Sequence, residues 1–182
     1  MPKKISIIAV VLALILVFVG CKDADKTDTN SGQTPVDSAE IPEETEPREI
    51  VYERVGVSIR LPETFKDCSE LPLGKKYDFL YASEMIGIYG THIRKDDTAE
   101  GIVDLAGFCQ QTAASVQGET KEHNGILTVS YVQDSQGEKD QYVCAFFETE
   151  IEYVIITAYC PERMYEFYQN DMLSYITEAK VQ

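Results

Sequence analysis

The chain of 182 residues carries 31 acidic against 16 basic side chains, a net charge of −15 at pH 7, and 44% of its residues are hydrophobic. Without residues 1–20, which hold two lysines and no acid, the balance falls to −17. Such a surface repels phosphate backbones and anionic headgroups, which excludes nucleic acid as a partner, and the apolar share is enough for a folded core.

Residues 1–20, MPKKISIIAVVLALILVFVG, place Lys3 and Lys4 ahead of an apolar run from Ile5 to Val19. A membrane-spanning helix needs about 20 apolar residues. This run is shorter and meets polar, acidic sequence directly after Gly20 and Cys21, so it predicts a removable export signal. Its end, Phe18-Val19-Gly20-Cys21, resembles the lipobox of bacterial lipoproteins, with Phe18 where that group usually has leucine. The resemblance implies cleavage before Cys21 and lipidation of its thiol, which would make the membrane a partner on the extracytoplasmic side. Each buried methylene adds about 0.8 kcal/mol, so a pair of acyl chains holds stably where one holds marginally.

After Cys21, the stretch from Lys22 to Glu49 is rich in Asp, Glu, Thr, Ser and Pro, with Val36 and Ile41 as its only large apolar residues. It cannot bury enough surface to offset chain entropy. It reads as an acidic, disordered tether with a coil dimension on the order of 30 Å. Residues 50–182 then form one domain's length.

The domain opens with strand-like IVYERV, a break at Gly56, and VSIRL ending at Pro62. DCSELPLGKK (67–76) reads as a loop. YDFLYAS and MIGIYGTHI follow as strands, the glycines at 87 and 90 weakening the second or marking a bulge. Asp97 with Glu100 resembles a capping box, and Ile102, Leu105, Ala106, Cys109 and Ala113 repeat on one helical face, which predicts a helix over 98–115. Asn124-Gly125 is a two-residue hairpin turn between ETKEH and ILTVSYV. QYVCAFFE and EYVIITAYC are apolar on both faces and need cover on both sides. A second helix is predicted over 161–179, with Tyr165, Tyr168, Met172, Tyr175, Ile176 and Ala179 on one stripe. The pattern is α+β, a mainly antiparallel sheet flanked by two long helices.

GVSIRLPETF (56–65), the helix around Leu105–Ala113, and YVCAFFETEIEYVIITAYC leading into the helix from Pro161 look like the PsbP-like fold over residues 50–180. The resemblance implies an α/β/α sandwich and, since members mostly act by binding other proteins, a binding or accessory role.

Candidate chemistry is sparse. A catalytic Ser or Cys needs a positioned base, and only His92 and His123 exist, neither beside a nucleophile elbow. A small enzyme is the alternative role, and it would need a cleft joining His92 or His123 to a carboxylate or thiol. No phosphate-cradling, zinc-hydrolase or dinucleotide motif occurs, so no cofactor is expected. Asp96, Asp97, Glu100 and Asp104 lack the spacing of a calcium loop, and no C-x-x-C or close Cys/His pair suggests another metal. Cys68, Cys109, Cys144 and Cys160 permit disulfides in an exported domain, although the last three lie on apolar faces, where cysteine behaves as a small hydrophobe. Tyr77, Tyr81 and Tyr89 on neighbouring strands form the candidate ligand face, as tyrosine joins apolar area to a hydroxyl. The expected role is a non-catalytic, membrane-anchored module that meets an unknown protein or small molecule outside the cytoplasm.

Overall fold

The computed structural model describes residues 48–182, residue 136 excepted. The predicted signal peptide, the predicted lipidation site Cys21 and the predicted tether up to residue 47 lie outside the described residues. The first strand, β1, starts at Glu49.

Among the described residues, ten strands and two α-helices follow in the order β1 (Glu49–Arg54), β2 (Val57–Pro62), β3 (Lys66–Asp67), β4 (Phe79–Ala82), β5 (Gly87–Arg94), α1 (Leu105–Val116), β6 (Glu119–His123), β7 (Ile126–Ser135), β8 (Glu138–Glu148), β9 (Glu152–Pro161), α2 (Tyr165–Thr177) and β10 (Lys180–Val181). Instead of one sheet there are two: a seven-stranded sheet ordered β3-β4-β5-β9-β8-β7-β6 and a three-stranded sheet ordered β1-β2-β10. Every pairing is antiparallel. Asn124 and Gly125 adopt φ of 53° and 80°, as a type I′ turn requires, and join β6 to β7.

One face of the large sheet is covered over β4, β5, β8 and β9. Ile88, Val143, Ala145, Val154, Ile156, Ala158 and Cys160 pack there against Met172 and Ile176 of α2 and against Val57, Ile59 and Leu61 of β2. The other face carries α1, whose Phe108, Cys109 and Ala113 meet Val129, Cys144, Phe146 and Tyr153. Both predicted helical stripes therefore reach the sheet, with two exceptions in α1. Ala106 is exposed, and Ile102 precedes the helix.

The start of α1 corrects the predicted capping box. Lys95–Asp97 form a separate 3-10 turn, and the chain takes φ of +99° at Gly101, so no helix runs through 98–104. Asp104 is the N-cap, its Oδ1 accepting a 2.7 Å hydrogen bond from the Gly107 N–H. Loss of such a cap typically costs about 1 kcal/mol. At the second helix, β9 continues through Pro161 and a 3-10 turn at Glu162–Met164 precedes α2.

Gly87 and Gly90 do not mark a bulge, for β5 pairs with β9 without interruption from Gly87↔Tyr159 to Arg94↔Glu152. They make room for rings. A Cβ at Gly90 would lie 2.1 Å from Phe79 Cε1, and one at Gly87 would lie 2.3 Å from Tyr159 Cε1. Phe79 is fully buried and cannot give way. Gly90→Ala should therefore destabilise the domain by roughly 1–3 kcal/mol, the cost of overpacking, read as a lowered urea midpoint at constant m-value. An unchanged midpoint would show that the ring has somewhere to go.

Candidate functional site

Strand register gathers five tyrosines on the half of the sheet face that α1 leaves open. Tyr131 of β7 pairs with Tyr142 of β8, which pairs with Tyr159 of β9, which pairs with Gly87 of β5. Successive side chains alternate faces along a strand, so the three rings share a face and stand side by side. Tyr131 and Tyr142 stack with centroids 5.0 Å apart at 7°, and Tyr142 and Tyr159 with centroids 5.5 Å apart at 21°. Tyr89 lies 6.1 Å beyond Tyr159, and Tyr77, just ahead of β4, stacks on Tyr89 at 4.1 Å. Each such pair contributes about 0.5–1.5 kcal/mol beyond its buried area. All five rings are half-buried.

The row is held from behind. On the opposite face the buried Gln141 donates from Nε2 to the carbonyls of Tyr131 (3.0 Å) and Tyr142 (3.1 Å). That ties β7 to β8 where the tyrosines stand. One step toward α1, Cys144 Sγ lies 3.3 Å from Thr157 Oγ1, both buried. One step away from α1, Asp140 occupies the same face as Tyr142, paired across the strands with Gln133 and Pro161.

Of the predicted ligand face, Tyr77 and Tyr89 lie in this row and Tyr81 does not. Tyr81 pairs with Ile88, which puts it on the other face, where it is 2% exposed and packs between Tyr52 (4.5 Å) and Phe79 (5.3 Å). Tyr131, Tyr142 and Tyr159 were missed because they come from three strands whose register the sequence does not state. The signal available was that each sits two residues from a position that α1 or the sheet centre buries.

Among known proteins, no family model and no curated protein matches the chain. Solved structures do. The chain superposes on cyanobacterial PsbP (CyanoP) from Synechocystis with a TM-score of 0.50 at 9% identity, covering 80% of this chain and 99% of that one. It superposes on LpqN, a protein involved in cell envelope biogenesis of Mycobacterium tuberculosis, with a TM-score of 0.50 at 10% identity, covering 76% and 92%. The fold is PsbP-like.

The remaining candidates of the PsbP-like domain are spoken for locally. Asp78 Oδ2 accepts from the backbone N–H of His92 at 2.6 Å and lies 2.8 Å from its Nδ1, while the Asp78 N–H donates to the Gly90 carbonyl. The pair thus ties β4 to β5, and among the described residues no hydroxyl or thiol completes it. His123 is half-buried beside the hairpin turn. Asp96 pairs with Arg94 at 2.8 Å and Asp104 caps α1. Among the described residues no group of three or more His, Cys, Asp or Glu is placed to hold a metal, and no helix is long and apolar enough to cross a membrane. Cys68, Cys109, Cys144 and Cys160 are free thiols, the last three buried. Burial pushes the Cys144 thiol up to about 12 and the Cys160 thiol up to about 11.

The electrostatics of the row keep its hydroxyls protonated. Burial pushes Tyr159 up to about 12, helped by the charges of Tyr77 and Asp140. Burial likewise raises Tyr77, Tyr89, Tyr131 and Tyr142. A phenol whose folded pKa lies above its unfolded value of about 10 stabilises the fold fully below that pH and loses the contribution as pH rises through the folded value. Stability should accordingly hold up to pH about 10 and fall between about 10 and about 12, with the row's phenolate absorbance appearing later than that of the chain unfolded in denaturant. Coincident titration of folded and unfolded chains would contradict the packing of the row.

Proposed function

We propose that the chain is exported, cut before Cys21 and held by lipid on the outer side of the cell membrane, where its PsbP-like domain acts as a non-catalytic binding or accessory module. The observation that carries the binding role is the row of five half-buried tyrosines brought side by side on one face of the seven-stranded sheet. Tyrosine offers contact area, few rotatable bonds and a hydroxyl, the properties that enrich it at binding hot spots. Residues 22–49 serve as a spacer in this reading, setting reach through length and charge. Two solved neighbours with low identity support the fold, and the role rests on the row.

The Asp78–His92 pair favours a second reading, an acid–base enzyme, since an oriented imidazole is the core of many hydrolytic sites. It weakens this reading that Asp78 also accepts from the His92 backbone, an arrangement that serves strand pairing without any substrate.

The test separates address from binding. Cys21→Ser should move the protein from the membrane fraction to the soluble fraction. A photo-crosslinker placed at Tyr142 in intact cells should give a discrete adduct that Tyr131→Ala abolishes, whereas one at Phe167, which is 75% exposed on α2, should give none of the same mass. Equal adducts from both positions, or none from Tyr142, would count against the row as the binding surface.

A further inference from the structure

We infer that the tyrosine row takes an extended segment of a partner protein that carries arginine, with Asp140 as the anchor for the guanidinium. The inference rests on the binding role proposed above and names its chemistry. Asp140 follows the row directly on β8, one alternation from Tyr142 and diagonal to Tyr159. Its charge is felt at both hydroxyls. Among the described residues it has no cationic partner, whereas six arginine or lysine pairs with carboxylates form elsewhere on the domain. Its neighbour Glu138 adds negative charge, and partial burial raises its pKa. A half-desolvated carboxylate without a donor gains more from an incoming cation than a fully hydrated one does.

The row's own geometry narrows the cation. Stacked rings spend their faces on each other, and the half-buried Asp140 carboxylate stands beside the Tyr142–Tyr159 step as a free acceptor. A carboxylate accepts hydrogen bonds, and arginine supplies five donors and no acceptor in a planar fork. Its methylenes fit the apolar ring edges, and its plane can stack on a terminal ring. Charge complementarity extends beyond the contact. Residues 48–182 hold 12 basic and 23 acidic side chains, a net −11, which steers a basic segment toward the domain. A polyamine and a neutral glycan are the competing occupants.

The test uses the full chain in detergent and a short fluorescent arginine–glycine peptide, with a matched peptide in which citrulline replaces arginine at the same shape without charge. Anisotropy should show the citrulline peptide binding about tenfold more weakly, a difference on the scale of one partly desolvated charge contact. Asp140→Asn should abolish that difference, and Tyr142→Ala should weaken both peptides. Glu166→Gln, on exposed α2 across the sheet, should change neither. Equal binding of the two peptides, no binding of either, a preference that survives Asp140→Asn, or an equal loss in Glu166→Gln would each overturn the inference. If spermidine displaces the arginine peptide at concentrations well below those the peptide itself requires, the occupant is a polyamine and the inference also falls. Failure here together with the Tyr142 adduct leaves the row as a binding surface of different chemistry, whereas failure of both removes the row from function.

Discussion

Helix α1 is shorter than β7 and β8, the two long strands it packs on, and the organisation of that face follows from the mismatch. Its 12 residues rise about 18 Å at 1.5 Å each, while the 11 residues of β8 extend about 37 Å. One end of the face is therefore sealed by Phe108, Cys109 and Ala113 against Phe146 and Tyr153, with the Phe108 ring stacked 4.4 Å from Tyr153. The other end must be built from residues that tolerate a wet side and an apolar side. Tyrosine is suited to that, since its ring buries against neighbours while its hydroxyl keeps a polar partner or water. Leucine or isoleucine in the same places would leave a contiguous apolar patch of the kind that soluble monomers avoid.

What makes the open end a rigid surface is the opposite face. There α2 and the three-stranded sheet bury the seven-stranded sheet from behind, and Phe79, Leu61, Ile88, Val154, Ile156, Ala158, Met172 and Ile176 are all at 0% exposure. Strands packed at that density cannot slide, so the cross-strand neighbours Tyr131, Tyr142 and Tyr159 keep their spacing without a ligand. Gly87 lets the Tyr159 ring settle over β5, and Gln141 pins the β7 and β8 backbones behind the row. Sites carried on strands with locked neighbours keep their geometry better than sites on loops.

Local chemistry was legible in the sequence and register was not. The Asn124-Gly125 turn, the stripe of α2 and the two-sided burial of β8 and β9 follow from periods and turn preferences within a few residues, and the structure contains all three. The start of α1 was misread because Asp97 and Glu100 match a capping box whose helix is stopped by the positive φ at Gly101. The signal for Asp104, an acid directly ahead of an apolar repeat, was present and outcompeted. β3 and β10 span two residues each, too short to carry a period. Tyr81 and Tyr89 sit on neighbouring strands and looked equivalent, yet the pairings Tyr81↔Ile88 and Leu80↔Tyr89 send them to opposite faces. A one-residue difference in register decides that. The same ignorance hid Tyr131, Tyr142 and Tyr159, which are far apart in sequence and adjacent only through two strand pairings.

Binding at the tyrosine row can be measured directly by hydroxyl-radical footprinting, read by mass spectrometry on the purified chain and on the protein in intact cells. If the row meets a partner there, protection in cells is concentrated on Tyr77, Tyr89, Tyr131, Tyr142 and Tyr159 while Phe167 on α2 reacts equally in both. Equal reactivity of the five tyrosines in the two settings, or protection centred on Phe167, would show that the row binds nothing in its native setting.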